Sequence, residues 1–228
     1  MIGCLLIHGF TGSPFEVEPL TTFLRENTPW KIEDITLPGH GEVLELNGIK
    51  AGEWLTCAET AVQTLLEECD EIYVIGFSMG GLIASYLAVH YPVQKLVLLS
   101  AAAYYLNPKQ LLLDMKEMIQ DGLAGNLKTN ELFQRYKKKI KHTPLTATIE
   151  FRKMVLKVRP LLEKVSIPTF IAQGEIDGVV PPKSANYLYG KISSNRKELF
   201  FSPVAKHLIC HSEDGEELFQ RILVFLEE

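Results

Sequence analysis

Apolar residues recur along this chain in two alternating rhythms: short continuous runs, and longer stretches in which they return every three or four positions. The runs Gly3–Ile7, Lys31–Leu37, Glu71–Gly76, Lys95–Ser100, Ile167–Gly174 and Lys197–Ser202 predict strands. The unbroken apolarity of Gly3–Ile7 is that of a strand buried on both faces. Between the runs lie helical patterns. Residues 14–27 set Val17, Leu20 and Leu24 on one face, and a longer amphipathic helix carries Trp54, Leu55, Ala58, Ala61, Val62, Leu65 and Leu66. A helix from Ser78 to His90 stops ahead of Pro92, since proline disfavours a helical predecessor. A closing helix over about 213–227 has Glu213, Asp214 and Glu216 in its first turn, which suits the helix dipole. Strand and helix alternating through short connections predict an α/β fold with a mostly parallel sheet flanked by helices.

One stretch breaks the alternation. Between Ala103 and Val165 there is no strand pattern but three helical ones, carrying Leu111, Leu112, Met115, Met118 and Ile119, then Leu132, Phe133, Tyr136 and Ile140, then Leu145, Ile149, Val155 and Val158. This reads as a helical insertion over one end of the sheet, not as a separate domain. Residues 104–165 hold 13 Lys+Arg against 6 Asp+Glu, or +7, which leaves −12 on the rest of the chain. The run Arg135-Tyr136-Lys137-Lys138-Lys139-Ile140-Lys141 reads first as a solvated helix face, and second as a cap meeting acidic surface or anionic head groups.

Composition narrows the field. With 228 residues, 46% hydrophobic and 22% charged, one globular domain is expected. A core of that size buries roughly 70–75% of the unfolded surface, so it needs no disulfide or metal staple. A net charge of −5 does not point to a nucleic-acid binder, and no nucleic-acid partner is expected. No apolar run approaches the roughly 20 residues of a membrane helix, and the start Ile2–Ile7 is too short for a signal segment. Cys4, Cys57, Cys69 and Cys210 are scattered without zinc spacing, so a cytoplasmic protein without metal or cofactor is expected.

The chemistry gathers at Gly76-Phe77-Ser78-Met79-Gly80. A Gly-x-Ser-x-Gly arises by chance in roughly 5% of chains of this length, so its context must carry the argument. It follows the apolar strand Ile72–Ile75 and opens an apolar helix, as a nucleophile elbow does. Larger residues at 76 and 80 would clash with backbone around so tight a turn. The Ser78 hydroxyl would project at a helix N-terminus, where the dipole favours a developing oxyanion.

A serine hydroxyl needs a base. Of six histidines, His8 precedes a turn as a partner for neighbouring backbone, His40 lies in a Pro-Gly loop, His90 ends the helix after Ser78 and His142 lies in the basic insertion. His207, in the loop after the sixth strand, can reach the carboxyl edge of the sheet; His211, four residues on, reads as a surface or capping residue. The base needs an orienting carboxylate. Glu175 and Asp177 both follow the fifth strand, and the short side chain of Asp177, opening the turn Asp177–Pro182, suits a fixed hydrogen bond.

In register, His8-Gly9-Phe10-Thr11-Gly12, Leu37-Pro38-Gly39-His40-Gly41, the Ser78 elbow, Asp177-Gly178-Val179-Val180-Pro181 and His207 carry a resemblance that spans nearly the whole chain. It resembles the α/β-hydrolase superfamily, and within it the small bacterial carboxylesterases and monoacylglycerol lipases. The resemblance implies an α/β-hydrolase core over 1–102 and 166–228 with a helical cap at 103–165. It implies Ser78 as nucleophile, Asp177 as orienting acid, His207 as base, and the backbone N–H groups of Phe10 and Met79 as oxyanion hole. The chain departs from the pattern in opening at the family's third strand and in carrying Lys206 where relatives often have glycine. The expected activity is hydrolysis of short- to medium-chain carboxylic esters, a range that takes in monoacylglycerols. A thioesterase, an amidase or an aryl or cinnamoyl esterase would use the same triad. Dehalogenation and epoxide opening on this fold use an aspartate at the elbow, and a hydrolase-fold protein that binds a ligand without turnover is the remaining contrast.

Overall fold

A computed structural model describes residues 1–104 and 143–228. The first two helical patterns of the insertion, its basic run and His142 lie outside the described residues. The strands are β1 (Ile2–Ile7), β2 (Lys31–Ile35), β3 (Glu71–Phe77), β4 (Lys95–Leu99), β5 (Thr169–Gly174) and β6 (Lys197–Ser202). The helices, numbered in chain order, are α1 (Glu18–Asn27), α2 (Ala51–Glu68), α3 (Met79–His90), α4 (Leu145–Val158), α5 (Lys183–Lys191) and α6 (Gly215–Glu227). The strands form one sheet in the order β2-β1-β3-β4-β5-β6, and every neighbouring pair is parallel.

Each central strand is apolar at every step because its alternate residues enter two different cores. Leu5, Ile7, Ile72, Val74, Leu96, Leu98 and Ile171 face a core built with α2, α3, α4 and α5. Their neighbours Cys4, Leu6, Tyr73, Ile75, Phe77, Val97, Leu99, Phe170 and Ala172 face a second core closed by α1 and α6.

Two expectations shift. The helix anticipated over 14–27 divides into a 3-10 turn at Pro14–Glu16 and α1 from Glu18. A continuous helix would have needed the missing N–H of Pro19 to bond the Phe15 carbonyl; starting at Glu18 puts Pro19 in the first turn, where no partner is required. In α4 the buried stripe is Ala147, Phe151, Met154, Val155 and Val158, while Leu145 and Ile149 are exposed. The stripe keeps the three-and-four spacing of a single helix face, and Leu145 and Ile149 fall off it.

Candidate active site

The sheet order places β1 beside β3 with β2 outside β1, so successive crossovers leave β1 in opposite directions. In such sheets the crevice at the carboxyl ends of the strands, where the order reverses, is the natural ligand site. The loop after β1 and the turn after β3 both open there.

The turn after β3 holds Ser78 at φ 52° and ψ −112°, a left-handed-side conformation that a non-glycine residue adopts only when its surroundings enforce it. The enforcement is visible: the Ser78 N–H donates to the Leu99 carbonyl at 2.9 Å, and its own carbonyl accepts from Gly81 at 3.1 Å and Ala102 at 3.2 Å. A Cβ on residue 76 would stand 2.2 Å from the Gly80 carbonyl oxygen, and one on residue 80 would stand 2.1 Å from that of Ile7. Both positions therefore admit glycine alone.

His207 arrives from the loop after β6. The Ala205 N–H donates to Ser202 Oγ at 2.8 Å, and that hydroxyl donates to Asp214 at the mouth of α6, at 2.5 Å. Lys206 is exposed beside this anchored stretch. His207 is buried, with Nε2 3.1 Å from Ser78 Oγ and Nδ1 2.8 Å from Asp177 Oδ2. Because the Asp177 carboxylate only accepts, Nδ1 carries the proton and Nε2 is left to accept the Ser78 hydroxyl. Burial lowers the His207 pKa, but the charge and hydrogen bond of Asp177, with a further contribution from Glu16, outweigh it and leave it above 6.5.

Asp177 is itself fixed on both oxygens. Oδ1 accepts the N–H groups of Val179 at 2.8 Å and Val180 at 2.9 Å; Oδ2 accepts from His207 and from Gln173 Nε2, each at 2.8 Å. Glu175 is exposed and engages the sheet only through its backbone N–H, to Ser202.

The loop after β1 is tied down from three sides. His8 Nε2 accepts the Leu37 N–H at 3.0 Å, the Gly41 N–H donates to the Gly12 carbonyl at 3.1 Å, and the Gly9 N–H donates to the buried carboxylate of Glu16 at 2.7 Å. The Phe10 ring stacks on Phe151 of α4 at 5.2 Å and meets Trp54 and His40 edge-on. Met79 is the first residue of α3, so its N–H has no intrahelical acceptor.

Sequence reasoning thus named Ser78, Asp177 and His207, and the fold brings all three into hydrogen-bonding contact. The other described histidines serve packing: His40 within the aromatic cluster, His90 on the Tyr86 carbonyl, His211 stacked on Phe15 and donating to its carbonyl. Two site residues were missed. Glu16 resembled an ordinary helix-start acid, and Gln173 was hidden in the apolar run of β5, where a long amide was the only available signal. Among the described residues no cluster of three or more His, Cys, Asp or Glu side chains could hold a metal, and no helix is long and apolar enough to cross a membrane.

The chain is 27% identical to the thermostable monoacylglycerol lipase of Bacillus sp. (strain H-257), over 98% of this chain and 90% of that protein. It is 23% identical to a carboxylesterase of Bacillus subtilis (strain 168), over 98% and 92%. A solved structure from the work on the metagenome-derived lipolytic enzymes LipS and LipT superimposes with a TM-score of 0.80 at 26% identity, covering 99% of this chain and 93% of that one. The fold is that of the α/β-hydrolases, and the chain is a hydrolase resembling bacterial esterases. Residues 53–214 match the family model described as serine aminopeptidase, S33, and the chain belongs to that α/β-hydrolase family.

Proposed function

We propose that the protein is a serine carboxylesterase acting on short- to medium-chain esters, monoacylglycerols included, through an acyl-enzyme on Ser78. The observation that carries this reading is the chain of contacts from Ser78 Oγ to His207 Nε2 at 3.1 Å and from His207 Nδ1 to Asp177 at 2.8 Å, mounted on an elbow only glycines permit. In the first step Ser78 Oγ bonds to the ester carbonyl carbon while His207 Nε2 takes its proton. The tetrahedral oxyanion is held by the N–H groups of Phe10 and Met79, and one such donor is typically worth about 3 kcal/mol. Collapse breaks the bond to the alcohol, which leaves with the proton from His207; water, deprotonated by the same nitrogen, then releases the acid.

The insertion at 103–165 is the cap of this reading. The apolar patterns of its sequence suit an aliphatic acyl chain, and Phe151, from the helix α4 within it, backs the loop after β1 through Phe10. Four free cysteines suit a reducing, cytosolic setting. The family description favours one further reading, cleavage at an amino-terminal residue, which the same triad could perform.

Intact mass after fluorophosphonate treatment is the test, with Ser78→Ala alongside. One adduct on the native chain and none on the variant is expected, with ester turnover falling at least about 10³-fold in the variant. A series of p-nitrophenyl esters of increasing chain length and an aminoacyl nitroanilide then separates esterase from aminopeptidase. No adduct on the native chain would overturn the reading in favour of a ligand-binding protein on a hydrolase fold.

A further inference from the structure

Gln173, the penultimate residue of β5, is fully buried, and its side chain ends against the Asp177–Val180 turn. Its Nε2 lies 2.8 Å from Asp177 Oδ2, 3.1 Å from the Val180 carbonyl and 3.5 Å from that of Gly174. All three are acceptors, so the nitrogen must occupy this position; the flipped amide would set an oxygen against three oxygens. Oε1 then points into the interior, with no hydrogen-bond partner among the described residues. A buried amide satisfied at one end only costs stability that methionine in the same space would not. Packing therefore does not account for it, whereas the contacts of Nε2 do.

We propose that Gln173 is a positioning residue for the Asp177–His207 pair: its amide fixes the carboxylate oxygen facing His207 and sets the pH at which His207 becomes a base. The proposal rests on the triad reading above. Oδ2 is shared by Gln173 and His207, while Oδ1 is held by two backbone N–H groups, so the carboxylate cannot rotate about its last bond without breaking a contact. Among the described residues, the charged groups that bear on His207 are Asp177, from the turn after β5, and Glu16, from the 3-10 turn ahead of α1; the Phe77 ring lies 4.9 Å from the imidazole and the Ser78 hydroxyl 3.1 Å from Nε2. Gln173 is thus a neutral donor that draws part of the carboxylate's charge away from the imidazole. Removing that donor without changing the volume concentrates the charge on the Nδ1–H bond, favours the imidazolium, and frees the carboxylate to swing.

Gln173→Met tests this on p-nitrophenyl butyrate. The acid limb of kcat/KM is expected to move to higher pH by about half to one unit, with plateau kcat down about 10-fold and KM little changed. NMR titration of the His207 ring in a Ser78→Ala background is expected to show the same displacement without turnover. Gln173→Glu, when protonated, donates through its carboxyl O–H, so it restores the acid limb; as it ionises beside Asp177 the rate falls again at higher pH. A limb that stays in place in folded Gln173→Met, with only Tm lowered, would overturn the proposal and leave a packing role. If that variant does not fold, a Gln173→Glu profile without the alkaline fall overturns it. Loss of turnover in Ser78→Ala leaves the triad reading standing in either case, whereas retention of turnover there overturns both.

Discussion

His207 is pulled in two directions: burial disfavours its charge, and Asp177, helped by Glu16, favours it more. In the proposed mechanism the base must be neutral to accept the Ser78 proton, so hydrolysis should rise with pH through an apparent value above 6.5. A rate flat from about pH 5 to 8 would count against His207 as base. Stability runs the other way. A histidine whose folded pKa is raised contributes stability fully present below about 6.5 and lost as pH climbs through the folded value. Glu16 offers a cleaner lever, since Glu16→Gln keeps an acceptor for the Gly9 N–H but removes the charge. The acid limb should then slide down toward 6.5, measured as kcat/KM against pH, while Glu16→Ala should also loosen the loop and depress plateau kcat. That Ser78, His207 and Asp177 meet was legible because a serine, a histidine and an aspartate are expected together at a recognisable spacing. Glu16 and Gln173 act only through where the fold puts them.

Among the elements, α4 shows what local pattern leaves open. Its helicity follows from its residues, but its inner face was legible only in part, because Leu145 and Ile149 are as apolar as the Phe151 and Met154 that are buried. α4 also completes α2 from a distance: Glu150 Oε2 accepts the N–H of Ala51, the first residue of α2, at 3.1 Å, and Oε1 pairs with Lys153 at 2.6 Å. A carboxylate there satisfies an orphan N–H and meets the positive end of the helix dipole. Glu150→Ala should therefore destabilise the protein by about 1 kcal/mol in urea unfolding, whereas Lys153→Ala, which removes an exposed partner, should cost less than about 0.5 kcal/mol. The hydrogen bond from Lys153 leads in holding the Glu150 pKa below 4.5, against burial. Its contribution is thus present above 4.5 and lost as pH falls through the lowered value.

At the scale of the molecule, the two cores on either side of the sheet explain how this chain holds together without a disulfide. All four cysteines are free; Cys4, Cys69 and Cys210 are buried and Cys57 is half-buried. Burial, with the Glu16 charge, pushes the Cys210 thiol up to about 12, and burial raises Cys4 as well. Ellman's reagent should accordingly titrate at most Cys57 in the native protein and all four thiols in strong denaturant, and a reductant should leave Tm unchanged. Fast labelling of a second thiol in the native state would mean that a core opens more readily than its packing allows.

Residue order alone determined the alternation of strand and helix, the parallel sheet and the identity of three residues that meet. Apolar runs, glycines and a serine between them constrain the backbone within a few positions of themselves. Tertiary structure decided what distance along the chain conceals. Residue 16 lies beneath residue 9, residue 150 caps a helix that begins at residue 51, and the amide of Gln173 shares an oxygen with a histidine that follows it by a whole strand and helix. None of these pairings has a periodic or compositional signature. Each exists because burying both faces of a six-stranded sheet leaves one way to bring its carboxyl-end loops together, and the polar groups carried there must find one another or remain unpaired.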